Sequence, residues 1–445
     1  MVLSRQRAEE VFEKVLKYST AEETEATISS TSFALTRFAN NIIHQNVAEQ
    51  TASYSVRAVV EGRMARASSN QFDEDSIRRT CEAALALARL QAPDPDLLPM
   101  PGPQTYRALD RFYTETAQLT PQARAQTVSE VIARAEKDRL TAAGVFSSGA
   151  VAYALFNSRG LRAYHGETLS EFSVTMLGDS SSGWSKKTSP YWAELGPLEL
   201  ADTAARKARE SAQPREIPAG RYTVILEPSA LLDLLGFLIP DFSGLAVHEQ
   251  RSCLTGRLAQ KVFGENIHLR DDVFHPLQTG APFDGEGIPR QRLTIVEKGE
   301  VKNLVYARQT AHKVGAQPTG HGLPLPNDLG EIPLNIVMDG NRTSVEDMVR
   351  STSCGLLVTR FWYIREVDPY QKILTGMTRD GTFWIEDGVI KHGVKNLRFN
   401  QNLIEMLGQV EMLGPPQRTA GEESFEMVVP PVKVREFNFA STTKY

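Results

Sequence analysis

The chain has 445 residues, 54 Asp and Glu against 49 Lys and Arg, and 41% apolar residues. That length supports two or three domains with cores of their own, and the composition excludes a disordered or fibrous class. A net charge of -5 supplies no global field for nucleic acid, the scattered Cys81, Cys253 and Cys354 make neither a disulfide framework nor a CxxC metal ribbon, and no run reaches the ~20 apolar residues of a membrane span. The charged, amphipathic N-terminus has no apolar h-region, so a cytoplasmic chain with reduced thiols is expected, binding neither nucleic acid directly nor membrane.

Residues 4–18 place Ala8, Val11, Phe12, Val15 and Leu16 on one stripe, a helix capped by Ser4. From Glu25 the chain turns rich in Thr, Ser, Val, Ile and aromatics, broken at Asn40-Asn41 and Glu61-Gly62, and reads as antiparallel strands with tight turns. His44 lies there alone, as a surface residue. Asp73–Leu90 returns to helical period, with Cys81 on its buried side. A proline-dense connector (92–104), a helix over Pro121–Asp138 and a strand block turning at Asn157-Ser158-Arg159-Gly160 follow. DSSSGWSKKTS (179–189) reads as a polar loop, and Pro197–Ser211 as a helix.

The composition shifts near 212–220, which divides the chain into an N-terminal α+β domain (1–215) and a C-terminal, mainly antiparallel β domain (216–445). The second domain opens with the strand RYTVILEP and a helix over Ser229–Leu238. A central helix is expected within Asp241–Asp272, continuing through LTGRLAQKVFG. Strands and turns then dominate, with turn signals at Glu297-Lys298-Gly299-Glu300, Arg379-Asp380-Gly381 and Glu386-Asp387-Gly388, and one short helix begins at the SVED capping box, Ser344.

Candidate chemistry centres on His248-Glu249. A His followed by Glu on a helix is half of a zinc-peptidase signature, the imidazole holding metal and the carboxylate deprotonating water. The position one turn on is Ser252, and Cys253 at i+5 lies about 140° round a straight helix, within reach of the same metal only if the helix is distorted. Asp271-Asp272 and the pair Asp284, Glu286 read as solvated turn carboxylates; His268 and His275 flank the first pair without diagnostic spacing. His312 to His321 reads as a Gly- and Pro-rich loop. Phe361, Trp362 and Tyr363 beside Arg360 and Arg365 are expected to split between a core and a packed interface.

Several long strings, FANNIIHQN, VRAVVEGRMARASSN, SGLAVHEQRSCLTGRLAQKVFGENIHLRDD, PFDGEGIPRQRLTIVEKGEVKNLVYA and GTFWIEDGVIKHGVKNLRF, together resemble the TldD/PmbA family across nearly the whole chain. The resemblance implies a two-domain cytoplasmic peptidase assembled from two homologous subunits, formerly described as a modulator of DNA gyrase. In its TldD-type subunit HExxxH and a cysteine near the C-terminus bind the metal; the PmbA (TldE) subunit lacks them. Here His248 and Glu249 match the first two positions, Cys253 stands at the sixth, and GEESFEMVVPPVKVREFNF holds no cysteine. Cys354 is not at the family's ligand position and reads as core packing.

The resemblance therefore implies a PmbA-like subunit with no cofactor of its own, zinc residing in a TldD-type partner with which it forms a heterodimer acting on unfolded or short peptides. Two alternatives stand beside it. One is an autonomous peptidase with His248 and Cys253 as metal ligands and Glu249 as general base. The other is a non-catalytic, peptide-binding homodimer.

Overall fold

The computed structural model describes residues 2–443. In chain order its elements are α1 (Arg5–Tyr18), β1 (Glu23–Ala39), β2 (Ile42–Val60), β3 (Arg63–Ser69), α2 (Glu74–Leu90), α3 (Thr114–Ala117), α4 (Pro121–Lys137), β4 (Thr141–Asn157), β5 (Arg162–Leu177), β6 (Ser182–Ser189) and α5 (Pro197–Glu210). They continue as β7 (Gly220–Leu226), α6 (Pro228–Leu235), α7 (Gly244–His248), β8 (Leu269–Asp271), β9 (Leu293–Glu297), β10 (Glu300–Val301), α8 (Arg308–Val314), β11 (Ile336–Met338) and α9 (Val345–Arg350). The last are β12 (Cys354–Asp368), β13 (Ile373–Glu386), β14 (Val389–Gly393), β15 (Leu397–Asn402), α10 (Leu403–Gly408), β16 (Val410–Leu413), β17 (Gln417–Thr419), β18 (Met427–Val429) and β19 (Val432–Thr442). The fold is α+β.

Local chemistry sets the N-terminal elements. Ser4, Asp73 and Thr120 each accept an N–H of the first turn of α1, α2 and α4, and Pro121 opens α4 where no hydrogen-bonding N–H is needed. Asn40 and Asn41 both take positive φ, which suits a two-residue turn between right-twisted strands. The resulting sheet has the order β3-β2-β1-β4-β5-β6. Even-numbered residues of β1 face the helices: Ala26 and Ile28 meet α1 and α2, while Phe38 meets α4 and α5.

The other face of that sheet packs on the second half of the chain. Tyr153 and Leu155 of β4 press on Phe283, and Tyr106 donates from its hydroxyl to the Gly287 carbonyl at 2.7 Å. Beside them Glu25 is fully buried between Arg57 (2.7 Å) and Arg66 (2.6 Å), and Arg66 also donates to the Leu325 carbonyl. Two further sheets, β10-β9-β8-β11-β18-β17 and one of seven strands around β7, β12, β13 and β19, enclose a shared core with α6. Both are mixed, since β7 pairs β12 and β11 pairs β18 in parallel.

Three expectations are corrected. The central helix is only five residues long, because Gln250 turns left-handed (φ 58°) and the chain reverses through Ser252, whose hydroxyl donates to the Asp241 carbonyl. The stretch DSSSGWSKKTS supplies strand β6, which gains its ladder from β5 despite its polarity. Arg379-Asp380-Gly381 is a bulge inside β13, with buried Asp380 paired to Arg360.

Removing the carboxylate of Glu25 leaves Arg57 buried without its counter-charge. Glu25→Ala is expected to cost about 3–5 kcal/mol of stability, read from denaturant unfolding.

Candidate functional site

The residues of the suspected zinc helix do not converge. Ser243 caps α7 by accepting Ala246 N–H, and buried Glu331 holds the same end, accepting from Ser243 Oγ (2.8 Å), Leu245 N (2.7 Å), Ala307 N (3.0 Å) and Thr310 Oγ1 (2.8 Å). At the far end His248 and Glu249 are exposed, and Glu249 pairs with Arg251 at 2.5 Å. Cys253 lies in the apolar core, its N–H donating to Asp241 Oδ1 and its thiol pushed up to about 12, first by burial and then by Asp241. A thiol in that setting is a poor thiolate donor, and the imidazole faces solvent away from that core. Among the described residues no three His, Cys, Asp or Glu side chains gather as ligands.

The carboxylates read as solvated are instead buried. Asp271, Asp272, Asp284 and Glu286 are all at most 6% exposed. His321 is buried with Asp271: its Nε2 sits 3.1 Å from Asp271 Oδ1 without hydrogen-bond alignment, and its Nδ1 is 2.9 Å from Thr319 Oγ1. Burial works to raise the Asp271 carboxyl, but His321, Arg290 and the Asn335 N–H hold it below the ordinary value. Thr319 Oγ1 already takes the Tyr306 N–H, so this acid–imidazole–hydroxyl line fixes a loop rather than presenting a free nucleophile. His312, expected in that loop, ends up in α8. Neither His268 nor His275 belongs to a cluster of three metal-ligating side chains among the described residues; His275 Nδ1 accepts Leu277 N–H and burial lowers its pKa.

Asp284 Oδ1 accepts N–H bonds from Glu286 and Ile288, and Oδ2 accepts from Gly322. Burial, reinforced by Asp284, pushes Glu286 up to about 7. No pattern in DGEG announced this. Spacing alone reads the segment as a turn, and the water is removed by the chain around Arg308 and residues 322–324 together with the N-terminal sheet. Cys354, expected in a core, is exposed at the start of β12. Trp362 and Tyr363 are both exposed because positive φ at Tyr363 breaks the strand alternation; Arg379 stacks on the first ring and Arg365 on the second.

A cavity of about 1370 Å³ opens between the N-terminal sheet and the two others. Each sheet contributes its outermost strand to the wall: β6 through Ser185–Ser189, β17 through Gln417–Thr419, and β14 through Val389 and Ile390. α5 covers the first half of β6, where Ser211 Oγ and Lys207 Nζ donate to the outward carbonyls of Ser182 and Trp184. The register with β5 is unbroken, so Lys186 and Thr188 aim their backbone groups outward too, along the cavity. Arg418 bridges the walls, donating to Thr188 Oγ1 and pairing with Glu426; burial brings its pKa down to about 10. An extended chain entering here meets unpaired strand edges.

Glu286 binds its proton more tightly in the folded than in the unfolded chain. Its stability contribution is therefore intact below the ordinary pKa of 4.5 and lost as pH rises through about 7. Glu286→Gln is expected to stabilise the protein near pH 8 by on the order of 2 kcal/mol, a gain that vanishes in thermal melts below about pH 4.5.

Family models described as PmbA/TldA metallopeptidase domain 1, central domain and C-terminal domain match residues 24–88, 115–212 and 219–441. Metalloprotease PmbA of Escherichia coli O157:H7 is 25% identical over 378 residues, spanning 80% of this chain and 79% of that one. TldE from Thermococcus kodakarensis superposes with a TM-score of 0.86 at 21% identity over 97% of this chain and 99% of that one. A candidate modulator of a DNA gyrase from Thermotoga maritima gives 0.86 at 20% identity, covering 97% and 100%. At those identities the two structural likenesses are likenesses of fold.

Proposed function

The chain belongs to the PmbA/TldD metallopeptidase family, and from that membership we propose that it acts as the PmbA/TldE-like subunit of a two-subunit cytoplasmic peptidase for unfolded or short peptides. The observation that carries the proposal is the cavity bordered by the outermost strands of three sheets. Strand edges recognise backbone, which every peptide has, and so tolerate many sequences. The dispersal of His248, Glu249 and Cys253 supports assigning the metal to a TldD-type partner subunit. In this reading the division near residues 212–220 separates two domains whose junction forms the cavity. The chain's own contribution is to hold an extended peptide and exclude its alternative conformations, while the zinc of the partner supplies the activated water.

Peptidase activity on an unstructured peptide is expected only when the chain is mixed with a TldD-type homologue. Full activity of the chain alone, or stoichiometric zinc in it that disappears in His248→Ala, overturns the assignment. Thr188→Pro removes one outward N–H of β6 while leaving its ladder to β5 intact, as an edge strand allows. It also removes the hydroxyl that accepts from Arg418, so it is expected to weaken peptide binding about ten-fold with some loss of melting temperature, whereas Thr188→Val, which removes only the hydroxyl, is expected to bind peptide nearly as well.

A further inference from the structure

Beside α7 lies a second cavity of about 530 Å³, walled by Leu245, the start of α8 and the loop carrying Leu325 and Leu329. Leu329 is 63% exposed at its rim. Two cationic side chains border it and both are engaged, Arg251 by Glu249 at 2.5 Å and Lys313 by Asp96 at 2.9 Å. Two carboxylates border it without an ion pair among the described residues, Asp328 and Glu286. Glu286 is 96% buried by the complement of its 4% exposure. Its Oε2 accepts the Arg308 N–H at 2.9 Å, while among the described residues none donates a hydrogen bond to Oε1, which is left to meet the cavity.

A buried carboxylate with one oxygen unpartnered, bordering a cavity whose two cationic side chains are already paired, is an acceptor for a hydrogen-bonding cation. The cavity is small, and Leu245, Leu325 and Leu329 give it an aliphatic side among otherwise polar walls. We propose that it binds a primary ammonium group borne on an aliphatic residue, with Glu286 as counter-ion and Leu245, Leu325 and Leu329 around the hydrocarbon. The amino-terminal residue of a peptide and a free aliphatic amine share this chemistry. Asp284, Arg308 and Arg57 are the charged groups that act on Glu286, and Glu249, Arg251, Lys313 and Asp328 line the same space. Raised by burial to about 7, the carboxyl must give up its proton to pair with an ammonium, so binding weakens as the pH falls through that value.

The reading of the chain as a peptide-holding subunit enters only in naming peptides among the amines, and the test separates the two. Calorimetric titration of the full chain uses isoamylamine, which stays protonated near pH 8, with Leu-Gly-Gly and N-acetyl-leucinamide as companions. Isoamylamine is expected to bind at millimolar concentration or below, to bind at least about ten-fold more weakly to Glu286→Gln, and to weaken from about pH 8 to about pH 6. Leu329→Ser, a change on an exposed loop, is expected to weaken it several-fold, which keeps the proposal testable should Glu286→Gln not fold. Tighter binding of Leu-Gly-Gly than of isoamylamine assigns the cavity to peptide amino termini; the reverse assigns it to free amines. No heat with either amine, equal binding by N-acetyl-leucinamide, or unchanged affinity in a folded Glu286→Gln overturns the proposal. An inert Thr188→Pro would remove the strand-edge reading of the large cavity and leave this result standing.

Discussion

Glu25 is the residue on which the two halves of the molecule depend. A carboxylate with no solvent contact is stable only when opposite charge and hydrogen bonds replace the lost water, and here Arg57 comes from β2 and Arg66 from β3 to do so. Burial works to raise the Glu25 carboxyl, but the two guanidinium groups hold it below the usual carboxylate range. Arg66 then reaches across to the Leu325 carbonyl, and Arg57 feels the field of Glu286. The N-terminal sheet is thereby tied to the segments carrying Asp284, Glu286 and Leu325. That sheet and the chain around Arg308 and residues 322–324 together keep those carboxylates dry.

The same contact aligns the strand edges. With β4 fixed on Phe283, the outermost strand β6 is brought beside β17, and Arg418 spans the gap to Thr188. Ser182 Oγ also bonds Asp380, itself held by Arg360, so the bulge in β13 secures the other side. These ties act through side chains and leave backbone edges facing the space between. A cavity built this way is bordered by the outermost strands of three sheets, the feature from which we propose that it holds an extended chain.

The short helix α7 is fastened at both ends. Its N-terminus is fastened by Glu331, and the chain beyond it by Asp241, which receives Cys253 N–H and pairs with Lys372 at 2.5 Å. Both carboxylates are spent on backbone and side-chain donors. What remains exposed, His248 and Glu249, gathers no third ligand among the described residues, whereas Glu286, which lines the smaller cavity together with Glu249, spends only one oxygen on a hydrogen bond.

Residue pattern by itself determined the helices α1, α2, α4 and α5, the turns at Asn40-Asn41, Glu61-Gly62 and Glu386-Asp387-Gly388, the α+β class and the family, because caps, periodicity and turn chemistry act over a few neighbouring residues. It correctly set His44 on the surface and Cys81 in a core. It failed where distant segments decide. Polar β6 is a strand only because β5 supplies its ladder, the helix after Gly244 stops at His248 because Asp241 and Ser252 reverse the chain, and Asp271, Asp284 and Glu286 lose their water only when residues far away in sequence close over them. Charge burial and strand pairing are long-range events, and only the tertiary structure decided them.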